Sequence, residues 1–298
     1  MRRKASATLL LMATLCSATG CADGPPAWES VSDTEVRDLT LPEAIEIERA
    51  EQKLIKQCMD GRHLPYWEFP VPSVDERKNG SFVIDDVRWA AKYGYGRVFD
   101  DLGAKIRSSH PTILFQNKLD RPARIAYSKA FEGDPDDRME VKVPGGHGTL
   151  SYPRGGCTNE ARGKLYGDAE TWYKSSRTVE NLLPLYSQDL RRDKRFTTAL
   201  GRWARCMKAA GRPFDTPEKL REARQTAIQD MPVAKADAFD KKLAVTEATC
   251  AKQSSLAETA RSLEEGYRAQ AAKPYPKQWD DYRKMRLFAL RQAREVLS

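Results

Sequence analysis

Four cysteines set far apart constrain this sequence more than any other feature: Cys58, Cys157, Cys206 and Cys250. In an oxidising compartment such an even set pairs into disulfides, and four cysteines allow three pairings. Zinc is the competing use, but no Cys-x-x-Cys pair is present and the spacing is poor for a structural zinc site. The choice between the two turns on where the chain folds, and its first residues speak to that. It opens with Met1-Arg2-Arg3-Lys4, continues with the apolar stretch Ala5 to Leu15, and reaches the small residues Ala18-Thr19-Gly20 just before Cys21. A positive start, a short apolar run and small residues make a secretory signal over residues 1–20. The run is shorter than the roughly 20 apolar residues that span a bilayer.

Cys21 falls at the cut that the small residues imply, so it is the expected lipidated first residue of the mature chain. The stretch resembles a bacterial lipobox, with Ala18 where leucine is usual. An ordinary secretory signal followed by an unmodified cysteine is the alternative. Cys16 is a poor rival because the bulky Leu15 precedes it, and Arg2-Arg3 lacks the context of a twin-arginine signal. The expected location is the outer face of a bacterial cell membrane, with membrane lipid reached through Cys21. With Cys21 lipidated, four cysteines remain to pair.

The whole chain carries a net charge of +8, and removing residues 1–20 takes away three basic residues and no acid. The remaining excess is modest and its charges are interspersed, which argues against a nucleic-acid partner. The stretch from Lys277 to Ser298 is the most basic; it reads as a solvated helix face, with anionic lipid head groups as the sharper alternative.

An internal echo predicts the pairing. Cys58-Met59 and Cys206-Met207 each close a helical stretch, and each is followed by a glycine, Gly61 or Gly211, suited to a left-handed helix end. A proline–aromatic turn comes next in both, Leu64-Pro65-Tyr66 and Arg212-Pro213-Phe214. Cys157 and Cys250 lie instead on apolar faces of later helices, with Ala161 and Leu165 or with Phe239 and Leu243. The chain therefore reads as two loosely similar units, 40–190 with Cys58–Cys157 and 191–298 with Cys206–Cys250. The predicted fold is mainly α and disulfide-stapled, with at most a small β ribbon.

Helix signals run through both units. Thr40-Leu41-Pro42-Glu43 is a capping box, ahead of a face of Ile47, Ala50, Leu54 and Cys58. Asp85 or Asp86 caps a short helix ending at Tyr93-Gly94-Tyr95-Gly96, and Asp120 caps another that Gly133 ends. Leu200, Trp203, Met207 and Ala210 share an inward face, and Asp215-Thr216-Pro217-Glu218 starts a further helix. One long helix is expected from about Ala238 to Ala271, and a last one places Trp279, Tyr282, Ala289 and Ala293 on one side. Strand signals are confined to Ser81–Ile84 and Met139–Val143. Residues 21–39, with Gly24-Pro25-Pro26 and several acids, read as a flexible tether. The glycine-rich run from Val143 to Gly156 reads as a surface loop delivering Cys157, with a ligand loop as the alternative. Asp134-Pro135-Asp136-Asp137 reads as a polar turn, since it lacks the spacing of a calcium loop.

Catalytic motifs are missing. There is no Gly-x-Ser-x-Gly elbow, no His-Glu-x-x-His and no phosphate-cradling loop. The three histidines, His63, His110 and His147, fall in separate expected loops. No cofactor and no metal site is predicted. Trp67, Trp89, Tyr93 and Tyr95 are the candidate binding residues, an aromatic group able to stack on a sugar ring or a peptide; core packing is the competing use.

In order along the chain, several short motifs carry a resemblance. They are Cys58-Met59, Tyr93-Gly94-Tyr95-Gly96, Asn117-Lys118-Leu119 leading to Tyr127-Ser128-Lys129-Ala130-Phe131-Glu132-Gly133, Gly156-Cys157, and Cys206-Met207 to Gly211. Together, over most of residues 40–260, they resemble a family of secreted actinobacterial lipoproteins of uncharacterised function. The resemblance implies an exported, disulfide-bonded protein and names no catalytic residue. At the first Cys-Met the glycine follows after two residues rather than the usual four, which puts that helix end in question. The functional expectation is a non-catalytic binding or accessory protein at the membrane–cell-wall interface, meeting an envelope protein or wall glycan. A cell-envelope hydrolase using carboxylates is the alternative. An enzyme should show a pocket of convergent, strongly perturbed titratable groups.

Overall fold

The computed structural model describes residues 26–78, 81–146 and 148–298. The signal, Cys21 and His147 lie outside the described residues. The first half runs through α1 (Leu41–Gly61), α2 (Val74–Arg77), α3 (Val87–Tyr93), α4 (Arg97–Ser109), α5 (Pro111–Lys118) and α6 (Arg121–Glu132). An antiparallel ribbon follows, β1 (Asp134–Lys142) with β2 (Thr149–Arg154). Then come α7 (Gly156–Tyr166), α8 (Ala169–Glu180), α9 (Leu183–Arg192) and α10 (Lys194–Ala209). The chain ends with α11 (Pro217–Ile228), α12 (Val233–Ser254), α13 (Leu256–Ala272) and α14 (Pro276–Leu297). The fold is mainly α with one small ribbon, as the patterning predicts.

Both disulfides join the expected partners, Cys58 to Cys157 and Cys206 to Cys250. Each is embedded in its own apolar cluster. Around the first pack Ala50, Leu54 and Met59 of α1, Ala161 and Leu165 of α7, and Met285, Ala289 and Ala293 of α14. Around the second pack Trp203 and Met207 of α10, Leu243 and Ala248 of α12, and Leu256 and Leu263 of α13. The clusters do not follow a division at residue 190. Val83, Ile84, Trp89 and Tyr95 leave the first unit for the second cluster, and α14 returns from the second unit to the first. The two units are thus interleaved by the exchange of α3 and α14.

The helix ends explain the echo. After Met207, Gly211 takes the left-handed conformation at φ 74°, and the amide of Arg212 donates to the Met207 carbonyl at 2.8 Å. After Met59 the same arrangement recurs one for one. His63 takes φ 58°, and the Leu64 amide donates to the Met59 carbonyl at 3.0 Å. Gly61, expected to take this role, stays inside α1. The backbone repeat is therefore in register, and His63 stands where the second copy has glycine.

Four other expectations are corrected. The long helix is two: Ser255, at φ 55°, breaks it between α12 and α13. Ser81–Ile84 is not a strand. Its carbonyls accept from Arg221 at 2.6 and 2.7 Å, and the Ile84 amide donates to Glu247, so its backbone groups are satisfied by side chains. The ribbon partner of β1 is instead the end of the glycine-rich run. The four residues from Asp134 to Asp137 lie in β1, where an irregularity between Asp134 and Arg138 absorbs the proline.

The fourth concerns the tether. Residues 26–39 are docked, not free. Trp28 and Val31 are buried, and the Trp28 ring lies so close to Gly167 that a Cβ there would meet it at 2.6 Å. Asp33 pairs with Lys284 at 2.8 Å, Glu35 with Arg291 at 2.7 Å and Asp38 with Arg268 at 3.2 Å. The acids that suggested a solvated spacer are complements to the basic faces of α13 and α14.

Candidate functional site

The exchanged segment around α3 builds the site. Asp86 is its N-cap, accepting from the amides of Arg88 and Trp89 at 3.0 Å. Gly94 ends it at φ 62°, close against Asp240 and Lys241, so α3 can seat on α12. Between α3, α2 and the start of α13 lies a cleft of about 660 Å³. Ile84, Trp89, Ala251 and Ala257 give it apolar walls. Charge lines the rest.

Two aspartates here are ion-paired. Asp85 pairs with Arg261 at 2.8 Å and Asp86 with Lys78 at 2.7 Å. The Lys78 ammonium and the helix-start amides hold the Asp86 carboxyl below its usual range. Such groups suit capping and charge pairing rather than proton donation. Arg88 and Lys252 also line the cleft, are exposed, and have no ion pair or side-chain hydrogen bond among the described residues. The cleft thus presents two cations that carry no ion pair among the described residues.

Behind its wall is a buried polar cluster. Glu247 of α12 has no exposure. It accepts from Tyr95 Oη at 2.7 Å and from the Ile84 amide at 3.2 Å, with Arg221 at 3.5 Å. Burial pushes the Glu247 carboxyl up, against the pull of Arg221 and these donors. Burial likewise raises the Tyr95 hydroxyl, helped by the adjacent carboxylate. Arg224 lies over the Tyr95 ring at 4.6 Å and bonds Asp240 at 2.8 Å. Glu247, though shifted upward, faces packed side chains rather than the cleft. It holds the cleft wall to α11 and α12.

The four aromatic candidates do not form one exposed face. Trp89 and Tyr95 are buried in the second cluster because their polar tips find interior partners, the Asp75 carbonyl at 3.0 Å and Glu247. Tyr93 is half-buried, donates to Asp75 at 2.9 Å and packs on Phe99. Trp67, at 43% exposure, lies outside that cluster, beside Phe115, which packs against the first one. Only Trp89 also touches the cleft.

Glu247 was legible in principle: it falls four residues after Leu243 and three before Cys250, on the buried face of α12. Arg88 and Lys252 carried no such signal, since exposed cations on helices are ordinary. Among the described residues no group of three His, Cys, Asp or Glu side chains is placed to hold a metal ion. His110 stacks on Phe69 at 3.9 Å between ring centroids. No described helix is long and apolar enough to cross a membrane. No family model, no curated protein and no solved structure matches the chain.

Proposed function

We propose that this protein is a non-catalytic binding protein held on the outer face of a bacterial membrane through Cys21, presenting the α3–α13 cleft to an acidic component of the cell envelope. The observation that carries this reading is the charge state of the cleft. Its aspartates are neutralised by Arg261 and Lys78, while Arg88 and Lys252 face it without partners among the described residues. Arginine and lysine so placed suit an anionic ligand. Export is supported by the signal pattern of residues 1–20, by the likeness to secreted lipoproteins and by two disulfides, which persist in oxidising compartments.

Two variants in the native host test this. C21S should move the protein from the membrane fraction to the medium. R88E/K252E should stay on the membrane but lose salt-sensitive cross-linking to wall material. Membrane retention of C21S would remove the anchor, and unchanged cross-linking of R88E/K252E would remove the cleft.

A further inference from the structure

The cleft does not stop at α13. A second concavity of about 600 Å³ shares Ser255 and Glu258 with it as a common wall. The break at Ser255 makes this arrangement, since a continuous helix would carry no turn there. Lys194 and Arg202 line the far side. Arg202 donates to the Ser254 carbonyl at 3.1 Å, and Lys194 has no ion pair among the described residues. Over both concavities eight basic side chains stand against three acidic ones. Two of the acids are Asp85 and Asp86, already paired. The third is Glu258, which lies at the shared wall, exposed and with no ion pair among the described residues. The charge order across the groove is cations, one carboxylate, cations.

That order selects among anions. An uninterrupted run of negative charge would meet Glu258 with repulsion. A chain whose charges are separated by hydroxyl-bearing units would set an O–H donor on Glu258, a charge-assisted hydrogen bond, while its anions reach the cations on either side. Resting on the cleft reading above, we infer that the two concavities form one groove for a phosphodiester-linked polyol or sugar polymer. Successive phosphates sit on the Arg88–Lys252 side and the Lys194–Arg202 side, with a hydroxyl between them on Glu258. Engaging both sides at once makes the second contact intramolecular, so affinity should rise with chain length.

The test is calorimetric titration of the mature protein with three probes: glycerol 1-phosphate, poly(glycerol phosphate) and inorganic polyphosphate. The polymer should bind at least tenfold more tightly per phosphate than the monomer. K194E should weaken the polymer at least fivefold and leave the monomer on the first cleft unchanged. E258Q should strengthen polyphosphate and not poly(glycerol phosphate). Equal affinity of monomer and polymer, an unaffected K194E, or a preference for polyphosphate in the wild type would overturn the groove while leaving the cleft in place. Loss of response to R88E with every probe would instead remove the cleft reading itself. Unchanged circular dichroism of each variant separates these outcomes from misfolding.

Discussion

Tyr95 Oη donates to Glu247 Oε2 at 2.7 Å across 152 residues of chain, inside the second apolar cluster. The bond joins the turn after α3 to the middle of α12. It makes the exchanged segment part of the second core, and so sets the back wall of the cleft.

Removing the hydroxyl leaves a buried carboxylate oxygen short of a donor. Y95F should cost about 1–3 kcal/mol, read by urea unfolding at neutral pH. The pH dependence has a definite sign. Glu247 is raised above its ordinary 4.5, so its contribution is present in full below that value and is lost as pH rises through the raised folded value. Wild type should therefore lose stability relative to E247Q across that window. Parallel stability–pH curves for the two proteins would contradict the placement of Glu247.

Each disulfide closes a long loop around one cluster. Chain-entropy estimates put the loss on replacing either pair by serine at roughly 4–5 kcal/mol. Since each cluster contains an element from the other half of the chain, C58S/C157S should also loosen α14, and C206S/C250S should loosen α3. Amide exchange on each double variant checks this; loosening confined to residues 40–190 or 191–298 would show that the exchange of elements carries no stability.

His63 is strained where its counterpart Gly211 is not. A non-glycine residue in the left-handed region costs on the order of 1–2 kcal/mol, partly offset by the entropy glycine loses on folding. H63G should raise the stability by about 0.5–1 kcal/mol, read as a higher unfolding midpoint. A drop would mean that the imidazole makes a compensating contact.

The strap is a fixed part of the domain. W28A should cost about 3–5 kcal/mol, the range for buried aromatic truncation. K284A should cost less than about 1 kcal/mol, as expected of a surface pair. Proteolysis checks the consequence: residues 26–39 should resist cleavage in the wild type and become the first site cut in W28A.

The features legible in the sequence were local ones. Thr40 and Asp120 cap the helices they were expected to cap, Asp86 is the cap of the Asp85–Asp86 pair, and the stretch Asp215–Glu218 does start a helix, because an N-cap needs only a side-chain oxygen within three residues. The cysteine pairing followed from the same locality, since both Cys-Met turns end in one backbone motif. What was missed depends on distant partners. Ser81–Ile84 has strand-forming residues, but Arg221 and Glu247 take its backbone groups. The tether has linker composition, but its acids meet Lys284, Arg291 and Arg268 from the far end of the chain. The cleft is assembled from α2, α3 and α13, so its cations share no motif. The four aromatics do not share one face because Trp89 and Tyr95 enter the second cluster while Trp67 stays exposed beside Phe115, and proximity in sequence does not decide this.

The most direct test of the binding cleft is amide hydrogen exchange of the mature, anchored protein with and without isolated wall polymer. Binding at the cleft predicts added protection in residues 84–89 and 251–261, abolished in R88E/K252E, and no turnover of the polymer. Protection elsewhere on the surface, or shortening of the polymer during the experiment, would contradict it.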